Sequence, residues 1–333
     1  MQPLSLMLPA DLAREFRAEL DGLIGRPWRV VDPKDEDADL LSAEIGLFSR
    51  STYANSNRAE LAPAAQRVVE AVKRSRNLAW LHVFSSGIDN PIYHDAIKRG
   101  LRVSTSTGGS GATVALTGFT GLLALARGMP RWIAAKQDRA WSPVHGEAAP
   151  PSLEKQTAVV VGTGAIGVEF ARLCQAVGLQ CIGVRRGSEP VAPFKKCVPI
   201  EQLWNVLELA DWLVLACPLT SATRRLIDAR MLARLPRSAQ LVNVARGGVV
   251  VEKDLVEALR EQTIAGAYLD VFEVEPLPAD SPLWDMPQVI LSPHNAAASR
   301  DYDQKVMQVF LKNLELYLAG KQLLNEVALE RIF

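Results

Sequence analysis

Three polar side chains with acid–base or anion-binding chemistry each follow an apolar segment typical of a β-strand. Arg246 follows LVNVA, Asp270 ends the run AYL, and His294 follows ILSP, with Glu275 and Pro276 shortly after Asp270. Open parallel sheets bind ligands outside the carboxyl ends of their strands, so these positions are predicted to share one edge of a sheet. There a guanidinium can bind a carboxylate, and an imidazole can give or take a proton near neutral pH. Taken singly, each residue has a plain alternative as a packed or solvated side chain.

A glycine-rich turn, GTGAIG, follows the fully apolar run TAVVV and opens a helical segment. Gly162 would permit the tight turn, Gly164 would let the backbone approach a pyrophosphate, and Gly167 would let helix and strand pack closely. The helix N terminus, with Ala165 and Ile166 in its first turn, offers N–H groups and a positive dipole end to phosphates. The context predicts dinucleotide binding, with an ordinary structural turn as the alternative.

The next strand of this unit ends in two arginines, where a carboxylate usually holds the ribose hydroxyls of NAD. Arg185 lies 23 residues after Gly162, where that carboxylate is expected, and Arg186 follows it. A guanidinium can pair with the 2′-phosphate of NADP, bidentately where geometry permits. We therefore predict NADP(H) as the preferred cofactor. NAD(H) and a solvated basic turn are the alternatives.

Strands alternate with helical segments along both halves of the chain, which predicts an α/β fold of two Rossmann-like, doubly wound parallel-sheet domains. The substrate domain is predicted to be discontinuous, residues 1–104 plus 296–333, and the dinucleotide domain to be 105–295. The predicted strands are Ile45–Phe48, Leu78–Phe84, Arg102–Ser104, Thr157–Val161, Cys181–Val184, Trp212–Ala216, Gln240–Val244, Ala267–Val271 and Val289–Leu291. The predicted helices are 60–74, 114–139, 162–177, 201–209, 252–261 and 303–318.

Composition excludes several classes of protein. The 37 basic and 37 acidic side chains balance, so nothing indicates nucleic-acid or membrane-surface binding. No apolar run approaches the ~20 residues of a membrane span, and a signal peptide is not expected. The four cysteines have neither zinc-ligand spacing nor a disulfide framework, which favours a cytoplasmic protein with reduced thiols. His82, His94 and His145 lack metal spacing, and His82 is interpreted as a satisfied core histidine.

Taken together, VGTGAIG, NVARGG, DVFEVEP and SPH, in this order, resemble the D-isomer-specific 2-hydroxyacid dehydrogenases, and in particular glyoxylate/hydroxypyruvate reductases. The resemblance covers roughly residues 78–327 and is densest in 157–299. It implies two domains with an active cleft between them, and a homodimer whose arm is formed by about 114–150. Trp132 and Trp141 flank the helix of that arm, and core packing is their alternative.

The resemblance also implies roles for the polar residues at the strand ends. Arg246 would bind the substrate carboxylate and carbonyl, and His294 would be the proton donor. Glu275 would pair with His294, because an adjacent carboxylate favours the imidazolium form. Asp270 would orient the nicotinamide carboxamide.

Further residues enter through the same resemblance. The segment FSSGIDN is similar to the family loop whose N–H groups hold the substrate carboxylate, which implicates Ser85, Ser86 and Gly87. The alternative is an ordinary turn with Asp89 or Asn90 capping the next helix. The cofactor would be lined by Ala245, by Pro218 and by Thr223 as a hydroxyl donor, with a proline-stopped strand as the alternative for the last two. Arg50 is predicted to face the cleft, or else to be solvated.

The implied activity is the reduction of a small 2-keto acid, such as glyoxylate or hydroxypyruvate, to the D-2-hydroxy acid with NAD(P)H. Two other functions stay open: a formate- or phosphite-type dehydrogenase on the same fold, and a nicotinamide-sensing corepressor. Formate enzymes of this superfamily pair the histidine with glutamine, whereas this chain has Glu275. Leu116 stands where family members usually have glutamate, and Ser85 stands where they have the first glycine of the loop.

Overall fold

The computed structural model describes residues 3–54, 56, 60–88 and 91–328. The chain forms two compact units, and each is built on its own sheet. The first unit comprises the described residues up to Ser110 together with those from Ser299 onward, and the second is Gly111–Ala298. The predicted domain boundaries were placed at 104/105 and 295/296, a few residues earlier in each case.

A five-stranded parallel sheet forms the centre of the first unit. Its strands are β1 (Leu4–Met7), β2 (Trp28–Val31), β3 (Ile45–Phe48), β4 (Trp80–Val83) and β5 (Arg102–Thr105). Its helices are α1 (Ala10–Glu15), α2 (Arg17–Ile24), α3 (Arg50–Tyr53), α4 (Pro63–Arg74), α5 (Pro91–Lys98) and the later α11 (Tyr302–Leu318). The strand order β2-β1-β3-β4-β5 places the loops after β3 and β4 at the same edge of the sheet.

The second unit contains a seven-stranded parallel sheet. Its strands are β6 (Thr157–Val161), β7 (Gln180–Arg185), β8 (Lys196–Pro199), β9 (Trp212–Leu215), β10 (Gln240–Asn243), β11 (Gly266–Leu269) and β12 (Val289–Leu291). Its helices are α6 (Gly111–Ala126), α7 (Met129–Gln137), α8 (Ala165–Ala176), α9 (Ala229–Ala233) and α10 (Glu252–Arg260). The order β12-β11-β10-β9-β6-β7-β8 makes β10, β11 and β12 direct neighbours.

Two parallel sheets with interspersed helices confirm the predicted fold class. The single long helix predicted over 114–139 is wrong, because Gly128 adopts a left-handed φ of +68° and divides it into α6 and α7. The helix predicted over 201–209 is instead two short 3-10 segments, Ile200–Asn205 and Leu207–Leu209. The sequence analysis missed β1, β2 and β8.

The central strands of both sheets are buried, as expected when helices cover both faces of a parallel sheet. Small residues bring α6 close to the second sheet: a methyl group at Gly121 would overlap the ring of Tyr268. Among the described residues no single helix has the length and apolar character to cross a bilayer; α6 and α7 meet that test only as a pair, bent by 69°.

Candidate active site

The glycine-rich turn has two glycines that the protein itself requires. Gly162 has a φ of +105°, and a Cβ there would lie 2.6 Å from the carbonyl oxygen of Ala216. A Cβ at Gly167 would overlap the carbonyl oxygen of Gly162. Both positions therefore admit only glycine, and they hold β6 against the start of α8.

Gly164 differs from these two glycines, because a Cβ there would meet nothing within 4 Å. Gly164 and Ala165 are exposed, Ile166 is half-buried, and no described side chain caps the helix that begins at Ala165. An open helix N terminus beside a bare backbone is the geometry that receives a pyrophosphate. The turn thus fits a dinucleotide. The open space lies at Gly164, the glycine of the three that packing within the protein does not require.

Arg185 is the last residue of β7, and Arg186 follows it on the surface. The Arg185 guanidinium donates through Nη1 to the carbonyl oxygen of Glu189 at 3.1 Å and lies 3.6 Å from the Glu189 carboxylate. Glu189 is largely exposed, and such pairs are worth at most about 1 kcal/mol, so a phosphate could displace it. The end of β7 therefore presents two cations that an anionic group could bind.

The loop after β9 is held together by Thr223. Its hydroxyl donates to the carbonyl oxygen of Pro218 at 2.6 Å and accepts from the N–H of Thr220 at 2.8 Å. The side chain is buried, so its hydrogen is used inside the loop. In this structure Thr223 therefore shapes its own loop, and its role as a hydroxyl donor to the cofactor stays a prediction.

Arg246 is positioned by a turn that Asn243 organises. Asn243 is buried at the end of β10, where its Oδ1 accepts from the N–H of Ala245 at 3.0 Å. Its Nδ2 donates to the carbonyl oxygen of Arg246 at 3.3 Å, and Arg246 Nη1 donates to the carbonyl oxygen of Ala245 at 2.7 Å. The sequence analysis assigned Asn243 no role, although it is the only polar residue of the run LVNVA that could fold back on the turn.

Asp270 is buried at the end of β11 and is only 2% exposed. Its Oδ1 accepts from the Ser292 hydroxyl at 2.6 Å and from the N–H groups of Asn295 at 3.0 Å and Ala296 at 3.1 Å. Burial raises the pKa of this carboxyl, and these hydrogen bonds oppose the rise. In this structure the carboxylate holds the loop that carries His294, and its role toward the nicotinamide carboxamide stays a prediction.

His294 and Glu275 meet at the same edge of the sheet. Nδ1 of His294 lies 2.7 Å from Oε2 of Glu275, and Oε1 of Glu275 accepts from the N–H of Phe272 at 3.1 Å. The His294 side chain is 39% exposed and that of Glu275 only 10%. Nδ1 therefore faces a shielded carboxylate, which leaves Nε2 to face a ligand.

A further carboxylate supports the loop that carries Glu275. Glu252, the first residue of α10, accepts from the N–H of Glu273 at 2.9 Å. Burial raises the pKa of Glu252, and the nearby Glu273 and Glu275 raise it further. No motif marked this residue in the sequence.

The loop after β4, in the first unit, has its carbonyl groups engaged in hydrogen bonds. The carbonyl oxygen of Ser85 accepts from the N–H of Ser106 at 3.2 Å, and that of Gly87 accepts from the Ser85 hydroxyl at 2.6 Å. The carbonyl oxygen of Ser86 accepts from the Thr107 hydroxyl at 3.4 Å. The alternative cap residues Asp89 and Asn90 lie outside the described residues.

Arg50 follows β3, the strand beside β4, and it is exposed. Its backbone N–H donates to Asp303 at 2.8 Å. Its guanidinium lies 5.7 Å from the ring centre of Tyr53 and 5.8 Å from that of Phe84. The stacking orders the cation next to the loop of Ser85, Ser86 and Gly87.

In the second unit, β10, β11 and β12 are adjacent and parallel, so Arg246, Asp270 and His294 follow three neighbouring strand ends. Among the described residues, no group of three or more His, Cys, Asp or Glu side chains could hold a metal ion.

The family model for the NAD binding domain of D-isomer specific 2-hydroxyacid dehydrogenases matches residues 119–296.

The chain belongs to the D-isomer specific 2-hydroxyacid dehydrogenase family. It is 35% identical over 273 residues to a glyoxylate reductase of Korarchaeum cryptofilum, covering 78% of each chain. A D-isomer specific 2-hydroxyacid dehydrogenase from Xanthobacter autotrophicus Py2, solved with NADPH and MES, has 27% identity and a TM-score of 0.78, with both chains covered fully. These findings confirm the resemblance to this oxidoreductase family.

Some relatives of this dehydrogenase family are much longer than the region they share with the chain. A D-3-phosphoglycerate dehydrogenase of Methanocaldococcus jannaschii is 29% identical over 318 residues, which is 91% of this chain and 59% of the relative. A match to a protein of Corynebacterium melassecola spans 57% of that protein. The chain thus spans little more than half the length of these two relatives.

Proposed function

We propose that this protein reduces a small 2-keto acid, such as glyoxylate or hydroxypyruvate, to the 2-hydroxy acid, with D stereochemistry where the product is chiral. The observation that carries the proposal is the 2.7 Å contact between His294, after β12, and Glu275, after β11, at the same sheet edge as Arg246, after β10. This set combines a proton donor, a carboxylate that orients it and a cation for the substrate.

NADP(H) is the proposed cofactor, with NAD(H) as the alternative. When bound, it supplies the hydride that is added to the keto carbon. The open backbone at Gly164 fits the pyrophosphate, and the cations of Arg185 and Arg186 fit a 2′-phosphate. The relative from Xanthobacter autotrophicus solved with NADPH supports the same choice. The loop of Pro218 and Thr223 and the backbone of Ala245 are proposed to line this ligand.

The proton that reduction of the carbonyl group requires is supplied by side chains of this protein. Arg246 binds the substrate carboxylate and carbonyl oxygen through its planar fork. As the keto carbon becomes tetrahedral, Nε2 of His294 gives its proton to the carbonyl oxygen, which becomes the product hydroxyl. Glu275 keeps the Nδ1 hydrogen in place and stabilises the imidazolium before transfer. In the reverse reaction the same imidazole accepts the proton.

Donors for a substrate carboxylate are also proposed in the loop after β4 of the first unit. In a planar trans peptide, the C=O of one residue and the N–H of the next point in opposite directions. The carbonyl groups of Ser85 and Ser86 accept from Ser106 and Thr107, and that of Gly87 accepts from the Ser85 hydroxyl. The N–H groups of Ser86 and Gly87 therefore point away from Ser106 and Thr107, and together with that of Ile88 they are proposed to bind the anion. Arg50 adds a cation to this loop.

A homodimer is also proposed, formed through α7 and the segment after it. Trp141 is 96% exposed and Trp132 49%, which excludes core packing within the chain as their role. Exposed large apolar side chains of this kind mark interaction surfaces. Light scattering of the wild-type protein and of a Trp132→Ser/Trp141→Ser double variant tests this assembly. A cytoplasmic location is proposed because the four cysteines are free and buried.

Initial rates with a panel of 2-keto acids, each with NADPH and with NADH, test the proposed reaction. We expect turnover of glyoxylate or hydroxypyruvate, with a higher kcat/KM for NADPH. Binding of the dinucleotide without hydride transfer to any 2-keto acid would instead favour the nicotinamide-sensing corepressor. Oxidation of formate or phosphite, with no 2-keto acid reduced, would favour the other dehydrogenases of this fold.

A further inference from the structure

His82 is a buried titratable side chain that the proposed reaction does not use. It lies on β4 with 0% exposure, between Ser104 and Ser106. Its Nδ1 is 2.8 Å from the Ser104 hydroxyl oxygen and its Nε2 is 2.9 Å from that of Ser106. Burial lowers the pKa of His82 to about 3, so the ring is neutral at physiological pH.

The hydrogen bonds around this ring coexist in only one arrangement. The Ser106 hydroxyl donates to the carbonyl oxygen of Val83 at 3.0 Å, so its oxygen must accept from His82 Nε2. A neutral ring then accepts at Nδ1, from the hydroxyl of Ser104. Trp80 Nε1 donates to the same Ser104 oxygen at 2.8 Å. The chain of bonds therefore runs in one direction, from Trp80 towards Ser106.

Ser106 connects this chain of bonds to the loop after β4. Its N–H donates to the carbonyl oxygens of Val83 at 3.1 Å and of Ser85 at 3.2 Å. The Ser85 carbonyl is the first of the three engaged carbonyl groups of that loop. Its orientation sets the direction of the Ser86 N–H, because the peptide between them is planar.

We propose that His82 and Ser106 are positioning residues for substrate binding, which turn the N–H groups of the loop after β4 toward the substrate carboxylate. The inference rests on the proposed role of that loop. His82 fixes the Ser106 hydroxyl through Nε2, and Ser106 in turn fixes the peptide between Ser85 and Ser86. The ring acts only through Ser106 and touches no substrate.

This arrangement predicts a selective effect on the keto acid. A misdirected N–H weakens binding of the carboxylate, whereas the proton donor and the dinucleotide turn lie in the other unit and keep their geometry. Ser106→Ala keeps the N–H that donates to Ser85 but removes the hydroxyl that bonds His82 and Val83, and His82→Leu removes one partner of that hydroxyl. Because residue 106 is then held less firmly, we expect each variant to raise the KM for the keto acid about fivefold, as the loss of one positioned hydrogen bond would. The kcat and the dissociation constant of NADPH should stay within twofold.

The two single variants, the Ser106→Ala/His82→Leu double variant and a control are compared in the full-length protein. Leu20→Ala is the matched control, because Leu20 is fully buried in the same unit and belongs to α2 rather than to this network. KM, kcat and Tm are measured for each, and calorimetry measures the binding of oxalate, a substrate-like dianion, in the presence of NADP⁺. Oxalate binding provides a readout that does not require turnover.

We expect the double variant to have the KM and the oxalate affinity of Ser106→Ala alone, although its Tm is lower still. We expect Leu20→Ala to lower the Tm without changing either quantity. Unchanged KM and oxalate affinity in Ser106→Ala would overturn the inference, and so would additive effects in the double variant. Wild-type turnover would in both cases leave the proposed reaction intact. If the wild-type protein shows no turnover, only the proposed reaction is contradicted. The oxalate affinities of the variants would then test the inference about His82 and Ser106. If His82→Leu does not fold, Ser106→Ala decides it.

Discussion

The backbone N–H of His294 donates to the backbone carbonyl oxygen of Asp270 at 2.8 Å, and His294 has a left-handed φ of +50°. A residue with a Cβ rarely adopts this conformation, which costs about 1 kcal/mol or more. The carboxylate of Asp270 holds the following two residues, Asn295 and Ala296, by their N–H groups. Asp270 therefore maintains the strained conformation that aims the imidazole at Glu275.

The two glycines Gly164 and Gly167 should respond oppositely to the same substitution. Gly164→Ala places a methyl group in open space, so we expect an unchanged Tm and dinucleotide affinity weakened about tenfold or more. Gly167→Ala forces a methyl group into the backbone of Gly162, so we expect destabilisation by about 1–3 kcal/mol or failure to fold. Thermal unfolding and fluorescence titration with NADPH measure both. Unimpaired NADPH binding by Gly164→Ala would show that the pyrophosphate lies elsewhere.

Cofactor preference should depend on the arginines at the end of β7. We expect the Arg185→Gln/Arg186→Gln double variant to bind NADPH about tenfold or more weakly and NADH nearly as well as the wild type, because only NADPH carries a 2′-phosphate. Arg237→Gln, an exposed arginine of the same unit, is the control. An NADPH/NADH preference that does not change in the double variant would refute the assignment.

The Glu275→Gln variant should separate the effect of the negative charge of this residue on the reaction from the effect of its side-chain shape. Gln keeps a hydrogen-bonding group near Nδ1 of His294 but carries no negative charge beside the imidazole. We expect the kcat of reduction to fall about tenfold or more, because the proton donor loses its charged partner. A kcat equal to that of the wild type would contradict the proposed pairing.

Stability in acid should depend on Glu326, which anchors the segment after α11 to β5. Its Oε1 accepts from Arg102 Nε at 2.7 Å and its Oε2 from Arg102 Nη2 at 2.9 Å. Hydrogen bonding to Arg102 lowers the pKa of Glu326 below its ordinary value of 4.5. A carboxyl with a lowered pKa stabilises the fold above the ordinary value, and this contribution is lost as pH falls through the lowered one.

We therefore expect Glu326→Gln to destabilise the protein by about 1 kcal/mol at pH 7, since the pair is partly exposed to solvent. The difference from the wild type should shrink as the pH falls below about 4. Urea unfolding at a series of pH values measures it, with the exposed Glu36→Gln as the control. A difference that stays constant down to pH 3 would refute the charge-based explanation.

Much of the fold and of the candidate site could be predicted because its signals are local in the sequence. The run TAVVV with its glycines predicts a strand, a turn and a helix, and polar residues after apolar runs predict the strand ends of Arg246, Asp270 and His294. The break at Gly128 was missed because apolar spacing continues through it, whereas the backbone turns there. The spacing of apolar residues indicates which positions are buried, but it does not indicate the backbone φ angle at a residue such as Gly128.

Other features depend on contacts between distant residues. The hydroxyl of Thr223 could serve a ligand or its own loop, and only the structure shows that it donates to Pro218. Likewise, the run of small polar residues after Arg102 does not indicate in the sequence which groups its hydroxyls bind. Its Ser106 and Thr107 orient the carbonyl groups of the loop after β4. Such roles follow from tertiary geometry, which local sequence patterns do not indicate.

The central claim is that His294 protonates a keto acid beside a bound dinucleotide. The most direct measurement compares His294→Ala with the wild type in NADPH affinity and in the rate of 2-keto acid reduction, with the exposed His145→Ala as the control. We expect His294→Ala to lose about 10²–10⁴-fold in kcat while its NADPH affinity stays within a factor of two. Reduction at the wild-type rate by His294→Ala, or a parallel loss of NADPH binding, would contradict the claim.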